Sequence, residues 1–274
     1  MVPERGGTNI ISLAGLTYAD RYQVVLTCSS DLSIRVFSAK DGSNPRTLRG
    51  HTKAITSLHI IAIGRQVLSA GKDGTIRLWD VSTGKEIRKW EVEKRLAIEG
   101  LVVIEDERGK LAIAKEDEER VIVVACQDGH LAALPWSATG RTVELLTWSA
   151  ILSSALLSIA YSPELGVIAT GHTDGIITLR PLMSNPLFHL DTSITTLIRR
   201  NESPVYSLAF AGKDLLIGAA AGLPCRLSLR MYASGPIIRV KEEYAGWEAV
   251  GIEAWAVGKD GVWCAGGDGG IRRY

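Results

Sequence analysis

His51, Ser69 and Asp73 are the residue types that make a base, a nucleophile and a base-orienting carboxylate, and they fall within one short stretch. Asp128 with His130, and His172 with Asp174, each pair an imidazole with a carboxylate at a spacing from which a divalent-metal site could grow. The flanking sequence supports neither chemistry. It holds no GxSxG elbow, Walker loop, HExxH helix or dinucleotide-binding glycine pattern, so the usual means of activating a nucleophile or holding a phosphate are missing. Cys28, Cys126, Cys225 and Cys264 are scattered, without CxxC spacing, and read as reduced, buried thiols. The expectation is no metal, no cofactor and no catalytic turnover.

What these residues share is their place in a repeat. Six segments follow one plan, an apolar strand, a tight turn and a second strand. Their turns lie at positions 31, 73, 128, 174, 221 and 268, spaced by 42, 55, 46, 47 and 47 residues. Asp73-Gly74, Asp128-Gly129, Asp174-Gly175 and Asp268-Gly269 are hairpin signals and predict type I′ turns, with positive φ at both central residues. Runs at 55–61, 98–104, 156–161, 205–210 and 250–257 are innermost strands. Those at 46–48, 86–90, 143–148 and 237–240 are outer ones. A lone four-stranded sheet exposes both apolar faces and its edges, whereas radial stacking buries the faces between neighbours. The predicted fold is therefore an all-β propeller, one domain over residues 1–274.

Composition agrees with a globular chain. Hydrophobic residues make up 46% and charged residues 22% of 274. A net charge of +1, from 31 Lys+Arg against 30 Asp+Glu, gives no global field to draw the chain to nucleic acid or an anionic membrane. The N-terminus has no signal-peptide apolar core, and no apolar run reaches the length of a membrane span, so a cytoplasmic or nuclear location is expected.

Gly50-His51 opens the second repeat and Trp79-Asp80 closes it, with Ser69 and Asp73 between. In this the chain resembles the WD-repeat family. The resemblance implies that His51, Ser69, Asp73 and Trp79 form one hydrogen-bonded network tying the strands of a blade. Gly50-His51-Thr52, the run from Gly64 to Trp79, Ser203 to Leu208 and Asp268 to Tyr274 look more narrowly like the proteasomal ATPase-associated factor family of regulatory-particle assembly chaperones. The Trp position is Phe37, Leu134, Arg180, Leu227 and Tyr274 in the other repeats, so the full network is expected in one blade, with apolar packing elsewhere. That family usually has seven blades, whereas six repeats are visible here. An N-terminal region is expected to be missing, or the N-terminal segment to cross over and supply the last blade's outer strand.

The resemblance also implies that the second-to-third-strand turns and the loops entering each innermost strand share a partner-binding face. The turns contribute Ser30, Lys72, Gln127, Thr173, Ala220 and Gly267, and the entries contribute Lys53, Leu96, Ser154, Ser203 and Glu248. Lys53, Lys72, Arg199, Arg200, Glu202 and Trp247 are the candidate contacts, with Trp247 read either as an exposed anchor or as packed between blades. The run from Glu105 to Arg120, with seven acids and four bases, reads as a solvated loop. The function implied is a non-enzymatic platform, monomeric when free, that binds the C-terminal domain of a proteasomal AAA ATPase subunit. The alternative is a WD scaffold subunit of another multiprotein complex.

Overall fold

In a computed structural model, residues 10–14, 24–38, 40–61, 65–105, 120–136, 146–148, 154–182, 195–232, 235–247, 250–258 and 261–274 are described. They form six sheets in which strands pair in chain order. The first holds β1 (Ile10–Ala14), β2 (Val24–Ser29), β3 (Ser33–Ser38) and β4 (Arg46–Arg49), the second β5 (Ile55–Ile61), β6 (Gln66–Gly71), β7 (Thr75–Asp80) and β8 (Glu86–Glu91). The third holds β9 (Ile98–Glu105), β10 (Arg120–Cys126), β11 (Leu131–Pro135) and β12 (Leu146–Trp148), the fourth β13 (Leu156–Ser162), β14 (Val167–His172), β15 (Ile176–Pro181) and β16 (Thr196–Arg199). The fifth holds β17 (Val205–Ala211), β18 (Asp214–Ala219), β19 (Cys225–Tyr232) and β20 (Gly235–Glu243), and the sixth β21 (Ile252–Gly258), β22 (Gly261–Gly266) and β23 (Ile271–Arg273).

In the second to fifth sheets the second strand is buried almost throughout, which is why it reads as an apolar run rather than an alternation. Every residue of β14 is buried, whereas β13 alternates between buried and partly buried positions. The described residues fall into two compact units, one ending at Leu101 and the other starting at Val102. The first unit has a core of Leu26, Ile34, Leu48, Ile55, Val67 and Trp79. In the second, Val121, Val123, Leu131, Leu156 and Ile168 pack together, as do Val167, Leu179, Val205, Leu215 and Leu227.

Hydroxyls join successive sheets inside each unit. The innermost strands carry a register shift at Ile55/Ser57, Leu156/Ser158, Val205/Ser207 and Ile252/Ala254. Such an irregularity re-aims neighbouring side chains. Thr56 Oγ1 donates to the Ile98 carbonyl at 2.7 Å, Ser158 Oγ to that of Val205 at 3.0 Å, and Ser207 Oγ to that of Ile252 at 2.8 Å. Each acceptor is the first residue of a following innermost strand.

Three expectations need correction. The Asp-Gly turns are not type I′. Only the glycine has positive φ, +71° at Gly74 and +79° at Gly175, and its N–H donates to the residue three back, Gly71 or His172. This is a turn closed by one left-handed residue. Ile10–Ala14 does not complete the last sheet, because it pairs with β2 in the first, and the sixth has three strands among the described residues. The fourth sheet's outer strand, β16, went unread because Thr196–Arg199 is short and only partly buried.

In the first sheet the left-handed position is held by Leu32, with φ +67°. A β-carbon in this conformation costs about 1 kcal/mol. Leu32→Gly should therefore raise stability by somewhat less than that, since glycine also frees the unfolded chain. Urea unfolding of the two proteins measures it, and an unchanged or lower midpoint would count against the strain argument.

Candidate functional site

The four network residues of the second sheet meet. His51 Nδ1 lies 3.0 Å from Asp73 Oδ2, and His51 Nε2 lies 2.7 Å from Ser69 Oγ. The Trp79 indole N–H donates to the same Ser69 oxygen at 2.8 Å. With that donor in place, the Ser69 proton is directed at Nε2, which leaves Nδ1–H to donate to Asp73. Asp73 also accepts from the Thr52 and Thr75 backbone N–H groups, at 2.9 and 3.1 Å, and from Thr75 Oγ1 at 2.8 Å. Burial alone would raise the Asp73 pKa, but these donors, His51 first, hold the carboxyl well below the usual range.

Ser69, His51 and Asp73 thus have the connectivity of a hydrolase triad. The chemistry is nonetheless closed off. Ser69 is 0% exposed, and its oxygen is already engaged by both the His51 ring and the Trp79 indole N–H. The relay instead fastens the entry of β5, β6, the turn and β7 to one another.

Sequence reasoning missed that other sheets rebuild this network with different residues. In the fourth, His172 bonds Thr170 Oγ1 at 3.2 Å and Ser154 Oγ at 3.1 Å, and Thr170 bonds Thr178 at 2.5 Å. Burial lowers the His172 pKa and so favours the neutral ring. Arg180, at the position of Trp79, is buried. In the sixth sheet Trp247 takes the place of His51, and its indole N–H donates to the Tyr274 hydroxyl at 2.8 Å, with Arg272 stacked 4.2 Å from its ring. Trp247 is 1% exposed and packs on Ile252 and Cys264 of its own sheet, so it is not an accessible anchor. Its position five residues before Ile252, against four from His51 to Ile55, was a signal available in the sequence.

Turn and entry loop are neighbours in the second, fourth, fifth and sixth sheets. The backbone N–H of Lys72 donates to the Ala54 carbonyl, Thr173 to Ala155, Ala220 to Pro204 and Gly267 to Gly251. In the first unit this brings Lys53 and Lys72 to one loop cluster, where Lys72 pairs with Glu99 at 3.3 Å. In the second unit Arg199 pairs with Glu202 at 3.5 Å, and Arg200 bonds Glu243 and the Leu223 carbonyl. Arg199 ends strand β16 rather than lying in a loop. Glu248, residues 106–119 and residues 143–145 lie outside the described residues, although Glu105 and Arg120 pair at 3.0 Å.

Asp128 pairs with His130 at 2.9 Å, and Asp174 caps the Ile176 N–H. Among the described residues no group of three or more His, Cys, Asp or Glu is placed to hold a metal. The four cysteines are buried and unpaired by disulfides, and burial pushes the Cys126 and Cys264 thiols up to about 12, where thiolate chemistry is suppressed. No described helix is long and apolar enough to cross a membrane.

Repeated four-stranded antiparallel sheets, with the His-Ser-Asp-Trp relay in one of them, make an all-β chain that carries a WD repeat, an architecture consistent with a WD β-propeller. The WD domain, G-beta repeat model matches residues 42–80, the stretch that contains all four relay residues. Relatives share further segments. Eukaryotic translation initiation factor 3 subunit I of Schizosaccharomyces pombe is 33% identical over 104 residues, covering 38% of this chain and 31% of the relative. THO complex subunit 6 of Homo sapiens is 32% identical over 92 residues, covering 34% and 27%. Nuclear distribution protein nudF of Aspergillus niger is 42% identical over 65 residues, covering 23% and 15%. The matched part is less than a third of each relative's length.

Proposed function

We propose that this chain is a non-enzymatic scaffold that binds other proteins within a multisubunit complex. The observation that carries the reading is the buried relay. The His-Ser-Asp constellation that could do nucleophilic chemistry is, among the described residues, consumed in holding a sheet together, so what the fold offers a partner is its loops and outer strands. Two relatives named as complex subunits, translation initiation factor 3 subunit I and THO complex subunit 6, support it. The chain is expected to act in the cytoplasm or nucleus.

A second reading, an assembly chaperone for a proteasomal ATPase subunit, rests on the narrower resemblance of the run from Gly64 to Trp79 and of Asp268 to Tyr274. Its contacts would be Lys53 and Lys72 in the first unit and Arg199, Arg200 and Glu202 in the second, and the exposed ion pairs of these loops would make the association sensitive to salt.

One experiment separates the two. The tagged chain is purified gently from its own cells and the recovered proteins are quantified. The scaffold reading expects a stable complex in fixed stoichiometry, without proteasomal ATPases. Stoichiometric recovery of one such ATPase would shift the assignment to the chaperone, and elution of the chain alone would count against both.

A further inference from the structure

The β19–β20 hairpin of the fifth sheet is longer than the sheet that carries it. Its inner neighbour β18 stops pairing at Asp214↔Ser228, yet β19 and β20 continue through Leu229↔Ile238, Arg230↔Ile237 and Tyr232↔Gly235. Cross-strand partners share a face, and successive residues alternate between faces. On one face of this overhang Leu229, Met231 and Ile238 pack into the core shared with the fourth sheet. The opposite face presents Arg230, Tyr232, Ile237 and Arg239. Tyr232 is 51% and Ile237 48% exposed, both arginines are exposed, and neither makes an ion pair among the described residues. Between Ser228 and Arg239 that face of β19 and β20 carries no carboxylate, and the nearest one in register, Asp214 of β18 opposite Ser228, is already paired with Arg226 and Lys241.

We infer that this face of the overhang is a docking surface for an acidic, apolar-bearing segment of a partner protein. The inference deepens the scaffold reading and rests on it. Tyrosine and arginine are the residue types that dominate interface energetics, and here two of them flank a half-exposed isoleucine. The occupant follows from charge. Two arginines with no carboxylate opposite them are complemented by Asp or Glu, with the bidentate geometry that a guanidinium offers a carboxylate. Ile237, beside both arginines, and Tyr232, next to Arg230 toward the tip, take an aliphatic or aromatic side chain. The overhang owes its register to the buried face, so substitutions on the exposed face leave the core untouched.

Two fluorescein-labelled dodecapeptides of identical apolar pattern, one alternating with glutamate and one with lysine, test the surface by anisotropy against the full chain. The glutamate peptide should bind, and bind at least tenfold more weakly in 0.5 M salt. The lysine peptide should not bind. Arg230→Glu/Arg239→Glu should lower affinity for the glutamate peptide at least tenfold, and Tyr232→Ala several-fold, with unchanged thermal unfolding. Equal binding of both peptides, no binding of the glutamate peptide, or undiminished binding by the double variant would each overturn the proposal. So would binding of labelled oligouridylate that the double variant abolishes, which would assign the face to nucleic acid. Failure here is distinct from failure of the scaffold reading, because a double variant that still recovers the complex from cells removes this surface alone.

Discussion

Replacing Asp73 with alanine lowers folding stability by about 3 kcal/mol and the melting temperature by several degrees. The structure shows four groups that lose their acceptor together, the His51 ring, the Thr52 and Thr75 backbone N–H groups and the Thr75 hydroxyl. His51 and Thr75 are buried, so their donors cannot readily turn to water instead. The same carboxylate makes stability depend on acid. Its folded pKa is depressed, so its contribution is complete above the ordinary value of about 4 and is lost as pH falls from there through the folded value. Wild type should therefore lose stability below about pH 4 more steeply than Asp73→Asn, whose amide does not titrate. Urea unfolding at pH 7 and along an acid series measures both effects. A wild-type midpoint in Asp73→Ala, or parallel acid curves for wild type and Asp73→Asn, would show that the relay is not holding the sheet.

Much of this fold was legible because its units repeat. A turn at a fixed period, flanked by two apolar runs, locates β2 and β3, β6 and β7, and each later pair. The second sheet was legible to the level of single hydrogen bonds, since His51, Ser69, Asp73 and Trp79 all keep their types. What was not legible were the substitutions of role. A histidine at the end of β14 does the work of one in an entry loop, and Trp247 and Tyr274 exchange the roles of acceptor ring and donor. Residue type alone marks Trp247 as a candidate anchor, and only its packing on Ile252 and Cys264 shows otherwise. The turn type was misread because Asp-Gly dictates where a left-handed residue falls, not how many precede it. The overhang of β19 and β20 was hidden for a similar reason, because pairing length is set by the partner strand rather than by either strand's own sequence.

Gly222→Ala should cost about 4 kcal/mol, several times the effect of Gly166→Ala, although both residues have positive φ, +76° and +61°. At Gly166 a β-carbon would meet nothing within 4 Å, so only the left-handed penalty of about 1 kcal/mol applies. At Gly222 the β-carbon would lie deep inside van der Waals contact with the Trp247 carbonyl oxygen, with the Val250 carbonyl oxygen at 3.1 Å. Both obstacles are backbone, so no rotamer change relieves them. The segment that must move leads into β21 and carries Trp247, whose indole bonds Tyr274 and whose ring fills the space beside Cys264. Shifting it therefore disturbs the packing of the sixth sheet against the fifth, and the loss exceeds local strain. The degenerate fifth repeat keeps a glycine here even though its turn has lost the aspartate, which separates the two functions of the Asp-Gly pair. Aspartate organises hydrogen bonds within its own sheet, and glycine lets the next one come close. Thermal unfolding of the two alanine variants beside wild type checks the contrast. Equal losses would mean that the segment carrying Trp247 yields without cost.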